Sequence, residues 1–119
     1  MLTDVGASAD FEHRRARIVR VAGREIGIVR FEDELYAVRN VCPHAHAPLC
    51  RGVVHSHLVA GEPGRVDVAG GVPIVSCPWH GWEFDLRTGR ALVDPVLRVR
   101  TYDVVERDGR VLVETGEST

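Results

Sequence analysis

Apolar residues recur at alternate positions in short runs along most of the chain: Arg17 to Val21, Ile26 to Phe31, Leu35 to Val38, Val99 to Glu106 and Val111 to Glu114. A period of two places side chains on opposite faces of an extended chain, so each run predicts a half-buried strand. The residues between the runs suit turns. Ala22-Gly23-Arg24-Glu25 and Glu32-Asp33-Glu34 join the first three strands into an N-terminal meander, and Arg107-Asp108-Gly109-Arg110 joins the last two into a hairpin expected to close the sheet. A helical turn is expected near Asp10 to Arg15. No segment holds a period of 3.6, and no internal repeat appears, which disfavours a bundle or a solenoid.

The middle of the chain is different. All six prolines lie between Asn40 and Pro95, with several glycines, and they break up any long regular element. Five of the six histidines and all three cysteines share this stretch. The segment least suited to regular structure is therefore the richest in metal ligands, and function is expected in its loops.

Composition narrows the reading. A chain of 119 residues is the size of one domain, here 1–119, with 45% hydrophobic and 27% charged residues, near those of an ordinary globular protein. No apolar stretch is long enough to span a membrane, and the N-terminus carries no secretory signal pattern, so a cytoplasmic protein is expected. The net charge of -2 offers no footprint for nucleic acid or an anionic membrane surface. Twenty valines favour strands. All fifteen basic residues are arginine, to which no role is assigned. Three cysteines cannot pair completely, and cytosolic thiols stay reduced, which leaves metal ligation as their leading use.

The ligands fall in two clusters: Cys42-Pro43-His44 and Cys77-Pro78-Trp79-His80, separated by the 32 residues from Ala45 to Ser76. Each cluster offers one thiolate and one imidazole. Such a set could enclose one tetrahedral zinc, or a [2Fe-2S] cluster with sulfur ligands on one iron and nitrogen ligands on the other, and spacing alone leaves both open. The order of ligands discriminates, because zinc fingers usually take like pairs from each knuckle whereas these pairs are mixed.

The runs Cys42-Pro43-His44-Ala45-His46-Ala47-Pro48-Leu49 and Cys77-Pro78-Trp79-His80-Gly81-Trp82-Glu83-Phe84-Asp85-Leu86-Arg87-Thr88-Gly89 resemble the two cluster-binding loops of the Rieske family. The resemblance implies an all-β fold, an antiparallel β-sandwich or meander with both loops at one tip and a cluster-binding subdomain over about 40–95. It implies one 2Fe-2S cluster, with Cys42 and Cys77 on one iron and His44 and His80 on the other, the imidazole edges at the surface. It further implies a stand-alone ferredoxin-like electron carrier, not itself an enzyme, between a flavin-dependent reductase and a terminal oxygenase. A terminal oxygenase would need a second domain with a mononuclear iron site, and only 30 residues follow the second loop. The alternatives are the small Rieske subunit of a nitrite-reductase-like complex and a zinc-bound structural module.

Two features depart from the family pattern. His46 stands where many relatives carry a small residue, and Arg51 to Gly71 reads as an inserted polar loop or hairpin. With two thiolates the oxidised site is formally neutral, whereas four thiolates would leave it dianionic. Rieske centres accordingly span roughly -150 to +300 mV, against about -400 mV for plant-type ferredoxins. The disulfide partner and the serine of high-potential relatives are absent, which places the expected potential toward the lower end.

The remaining residues have structural readings. Cys50 is expected to be a small buried hydrophobe. His46, His55 and His57 are read as solvated loop histidines, and His13 as a surface residue. Trp79, Trp82 and Phe84 are expected to pack the second loop on the core. Gly81 and Gly89 are expected in turns, with Leu86 to Gly89 connecting a hairpin.

Overall fold

A computed structural model describes residues 2–43, 47–57, 72–79, 81–94 and 96–115. Nine strands form two antiparallel sheets among these residues. β1 is Leu2–Ala7, β2 Ala16–Val21, β3 Arg24–Phe31, β4 Glu34–Arg39, β5 Val53–His57, β6 Val72–Ser76, β7 Glu83–Asp85, β8 Thr101–Arg107 and β9 Arg110–Glu114. The larger sheet has the order β1-β9-β8-β4-β3-β2, and the smaller β5-β6-β7. The expected all-β fold and the β2-β3-β4 meander are both present.

The hairpins are tighter than their sequences suggest. Ala22-Gly23, Glu32-Asp33 and Asp108-Gly109 each place two central residues at positive φ, as the mirror-image turns that match strand twist require. Flanking residues such as Arg24, Glu34 and Arg110 belong to strands, because an exposed strand position tolerates charge as readily as a turn does.

β3 and β4 carry the architecture. Ile26 and Ile28 of β3 and Ala37 of β4 face one buried cluster with Phe11, Tyr102, Val111 and Val113. Val29 and Val38, on the opposite faces of the same strands, join a second cluster with Cys42, Leu49, Cys50, Val75, Cys77 and Phe84. The two strands thus form a wall with a core on each side.

Three elements differ from the sequence reading. β1 replaces β9 as the outer strand of the sheet: its backbone pairs with β9, and Arg110 grips Asp4 through two hydrogen bonds of 3.0 Å, which holds the Asp4 carboxyl below its ordinary pKa. The helical turn is a 3-10 turn at Ser8–Asp10 rather than at 10–15. It is pinned by the mostly buried Arg30 guanidinium, which donates to the carbonyls of Phe11 at 2.8 Å and Ser8 at 3.2 Å and to Glu106 at 2.9 Å.

The central stretch, although free of long elements, also builds the small sheet. The segment Arg51 to Gly71 begins as part of it, since Val53–His57 is β5, paired in register with β6; residues 58–71 lie outside the described part. Pro73 sits in the middle strand β6, where a missing donor is usually costly. Its carbonyl accepts the Leu86 N–H at 2.9 Å, so its imino side also faces past Asp85, where β7 has ended.

Gly27 is where the second core presses closest on the wall, because a Cβ there would collide with the Cys50 sulfur and Cβ. Gly27→Ala is expected to destabilise the protein by about 1–3 kcal/mol through overpacking. Denaturant unfolding checks this, and an unchanged midpoint would show that the Cys50 segment yields freely.

Candidate metal centre

Two loops leave the second core and return to it with the same backbone device. The Cys42 N–H donates to the Ala47 carbonyl at 2.8 Å, and the Cys77 N–H donates to the Trp82 carbonyl at 2.8 Å. Each bond brackets four residues, 43–46 in one loop and 78–81 in the other. Both loops begin Cys-Pro, so the first bracketed residue brings no N–H to compete. The second is tightened by a bond of 3.0 Å from the Gly81 N–H to the Cys77 carbonyl, with Gly81 at φ +72°, a conformation open to glycine without strain.

Cys42 and Cys77 are fully or almost fully buried in one cluster, and neither is in a disulfide. His44, His46 and His80 lie outside the described residues, as does the side chain of His57. What is visible is therefore the sulfur half of the expected ligand set and the frame that brackets the two imidazoles. Among the described residues no group of three or more His, Cys, Asp or Glu is arranged to hold a metal. The donors fit a [2Fe-2S] cluster in kind, since two buried cysteines on separate loops, neither in a disulfide, supply the soft ligands such a cluster takes.

The frame is anchored at several points. Asn40, buried just before the first loop, accepts the Cys50 N–H at 2.6 Å on its side-chain carbonyl and donates to the Glu25 carboxylate at 3.1 Å. Its own N–H reaches the Glu25 carbonyl at 2.9 Å. One side chain thus ties both ends of the first loop segment to the start of β3. After the loop, Leu49–Arg51 forms a 3-10 turn. Gly52 then lets the backbone pass the Ser76 carbonyl so closely that a Cβ would strike it.

Around the second loop, the Asp85 carboxylate accepts from Nε of Arg87 at 3.1 Å, from its Nη2 at 2.9 Å and from its backbone N–H at 2.8 Å. Gly89, at φ +81°, closes the turn by donating to the Asp85 carbonyl at 2.7 Å. Residues 86–89 do connect a hairpin, with Phe84 bridged to Ala91.

These bonds do not by themselves order the loops. Fixing four residues costs about 4–8 kcal/mol, at about 1–2 kcal/mol each, whereas one closing hydrogen bond contributes about 1 kcal/mol net. Burial of the cysteines with Ala47, Leu49 and Phe84 supplies part of the difference. Ligation would supply more, since metal binding is coupled to the order of the segment that carries the ligands.

Other residues divide between expectation and correction. Cys50 is buried as expected, and burial pushes its thiol up to about 12, so it stays protonated and poorly suited to ligation at neutral pH. Phe84 is fully buried and Trp82 packs against the same cluster, but Trp79 is 61% exposed and does not pack on the core. His13 is exposed and stacks on Phe31 with centroids 5.7 Å apart.

His55 is not a loop histidine. It lies on β5, and its Nε2 is 2.7 Å from the Ser76 hydroxyl and 3.3 Å from the Glu83 carboxylate. This contact links all three strands of the small sheet one residue before Cys77. Asn40, Gly27 and the Asp85–Arg87 pair were not singled out by sequence, because nothing in their local context separates them from ordinary strand-end and turn residues.

The Rieske [2Fe-2S] domain model matches residues 1–103. The chain is 36% identical over 99 residues to the anthranilate 1,2-dioxygenase ferredoxin subunit of Burkholderia cepacia, covering 82% of this chain and 77% of that one. It is 33% identical over 97 residues to the ferredoxin component of the naphthalene 1,2-dioxygenase system of Pseudomonas aeruginosa, covering 81% and 78%. Among solved structures, the ferredoxin of carbazole 1,9a-dioxygenase from Nocardioides aromaticivorans IC177 superposes with a TM-score of 0.76 at 32% identity, covering 95% and 96%.

An NADH-dependent nitrite reductase small subunit from Mycobacterium tuberculosis superposes at 0.78 and 27%, covering 95% and 93%. A chain from a complex of reduced oxygenase and oxidised ferredoxin in carbazole 1,9a-dioxygenase superposes at 0.71 and 25%, covering 94% and 91%. The cofactor of this domain is a [2Fe-2S] cluster, which sets aside the zinc module. With the family match running through both cysteine loops and the meander, the chain belongs to the Rieske [2Fe-2S] domain family.

Proposed function

We propose that this protein is a one-electron carrier that takes electrons from a flavin-dependent reductase and passes them to a terminal oxygenase, with no catalytic step of its own. The observation that carries this reading is the pair of buried cysteines, neither in a disulfide, at the openings of two identically closed loops, in a chain more than 30% identical to ferredoxin components of two dioxygenase systems. The cluster supplies reversible one-electron chemistry when bound. Cys42 and Cys77 would hold one iron, and His44 and His80 the other. The protein's part is to exclude water from the sulfurs, hold the loops and set the charge around them.

The role of small subunit in a nitrite-reductase complex is the second reading, favoured by the superposition on the Mycobacterium tuberculosis protein. An obligate subunit co-purifies with a large partner, whereas a carrier is isolated alone and turns over between two proteins. We read the compartment as cytoplasmic, where cysteine thiols stay reduced.

The first test is iron and zinc content with absorption and electron paramagnetic resonance spectra of anaerobically purified protein, before and after dithionite. About two irons per chain and a reduced signal of low average g-value are expected from mixed His and Cys ligation; a colourless protein holding one zinc overturns the reading. Cys50→Ser is expected to keep its full iron, because that thiol is not a ligand. Iron loss without unfolding would show otherwise.

The imidazole assignment has its own test. His44→Cys and His80→Cys, where a cluster still assembles, are expected to lower the midpoint potential, because each adds a negative charge to the oxidised site. Redox titration checks the sign, and an unchanged potential with intact cluster would remove that histidine from the ligand set.

A further inference from the structure

Strand β5 stands between the two cysteine loops. It follows the first through the turn Leu49–Arg51, and it pairs along its whole length with β6, which runs into the second loop at Cys77. This part of the chain meets Ser76, the residue before Cys77, twice. Gly52 lets the backbone pass so close to the Ser76 carbonyl that a Cβ would strike it, and His55 brings Nε2 to 2.7 Å from the Ser76 hydroxyl.

The reach of His55 is diagonal. Its register partner is Ile74, and Ser76 lies further along the same face, a separation of about 7–8 Å that takes a long side chain to span. Glu83, directly opposite Ser76 on the other side of β6, brings its carboxylate to 3.3 Å from the same Nε2. An ionised carboxylate has no hydrogen to give, so the ring nitrogen that meets it carries one. Nε2–H therefore faces both oxygens, on the side of the small sheet away from Val54, Val75 and Phe84 and the second core.

Ser76 and Glu83 flank the loop Cys77–Trp82. Their pairing ends a β6–β7 ladder of only three residue pairs, Ile74–Asp85, Val75–Phe84 and Ser76–Glu83. Beyond it the Cys77 N–H donates to the Trp82 carbonyl. The end of a short ladder opens most easily, and here that end is the base of the loop that carries Cys77. The imidazole sits across this base and fixes both flanking side chains to the strand that leaves the first loop.

We propose that His55 is a positioning residue for the cluster: it holds the base of the Cys77 loop in place against the strand leaving the Cys42 loop, and so sets the spacing between the two halves of the ligand set. This rests on the assignment of Cys42, His44, Cys77 and His80 as ligands. One cluster takes donors from both loops, so its retention depends on their separation as well as on the donors. Asn40, which accepts the Cys50 N–H, orders the first loop's own segment and leaves that separation unset. A side chain that orients ligands without touching the metal is worth about 10–100-fold in metal affinity.

The test follows iron loss from the reduced holoprotein to the ferrous chelator bathophenanthroline disulfonate, with electron paramagnetic resonance spectra of the same samples. His55→Leu, which keeps bulk and removes the donor, is expected to lose iron about tenfold faster than the wild type, with broadened and displaced g-values. His55→Gln, whose amide carries an N–H at similar reach, is expected to restore both. Val113→Ala, which opens a cavity in the other core, is expected to lower the denaturation midpoint and to leave iron loss and g-values unchanged.

Wild-type iron retention in His55→Leu overturns the proposal. So does a loss equalled by Val113→Ala, which marks general destabilisation, and so does one that His55→Gln fails to reverse. If His55→Leu does not fold, Ser76→Ala/Glu83→Ala removes the same contacts from the other side; faster iron loss is expected there, and wild-type retention overturns the proposal equally. A wild-type protein without bound iron would overturn the ligand assignment itself, a failure that its own spectrum shows before any variant is compared.

Discussion

A β-strand has two faces, and in β3 and β4 both are buried, one under the core that fills the six-stranded sheet and the other under the cysteine loops. Every other feature is arranged around that constraint. Buried on both sides, the wall cannot shift to accommodate a poorly fitting loop, since a register slip of one residue would exchange its two sets of side chains. The loops must fit the wall, and they do so at Gly27, where the absent side chain makes room for Cys50, and at Asn40, which satisfies the buried Cys50 N–H.

The three cysteines show how position decides chemistry. Cys42 and Cys77 stand buried at the openings of two loops whose backbones close around four residues each. Cys50 lies against Gly27 in the same cluster, but burial holds it in the thiol form, and it packs as a small hydrophobe. The thiolate rather than the thiol ligates metal. Three residues of one type in one core therefore divide into a candidate ligand pair and a filler.

The two ends of the molecule use apolar surface in opposite ways. In the large sheet the big apolar side chains other than Leu2 are turned inward, and the N-terminal segment is clipped down by Arg30 and by the Asp4–Arg110 pair. Around the cysteine loops, five are turned outward, where they give folding little. The small sheet makes this possible: three short strands, cross-linked by His55, Ser76 and Glu83, provide a base from which loops can project without a core of their own.

Periodicity of two, Gly- and Asp-containing turns and the paired Cys-Pro loops were enough by themselves to determine an all-β chain, its meander and terminal hairpin, and the family. Each of those signals is local, carried by residues a few positions apart. β1 was beyond reach because its strand state depends on β9, more than a hundred residues away, and its own run Leu2–Ala7 contains a bulge and a glycine. The small sheet was hidden for a related reason. Val53–His57 and Val72–Ser76 are too short, and too mixed with His, Ser and Pro, to signal strands until they pair with each other. Only tertiary structure turned His55 from a loop residue into a strand cross-link, left Trp79 exposed while Trp82 packed, and gathered Val53 and Val93, forty positions apart, at one end. Those outcomes depend on which strands become neighbours, which long-range pairing decides.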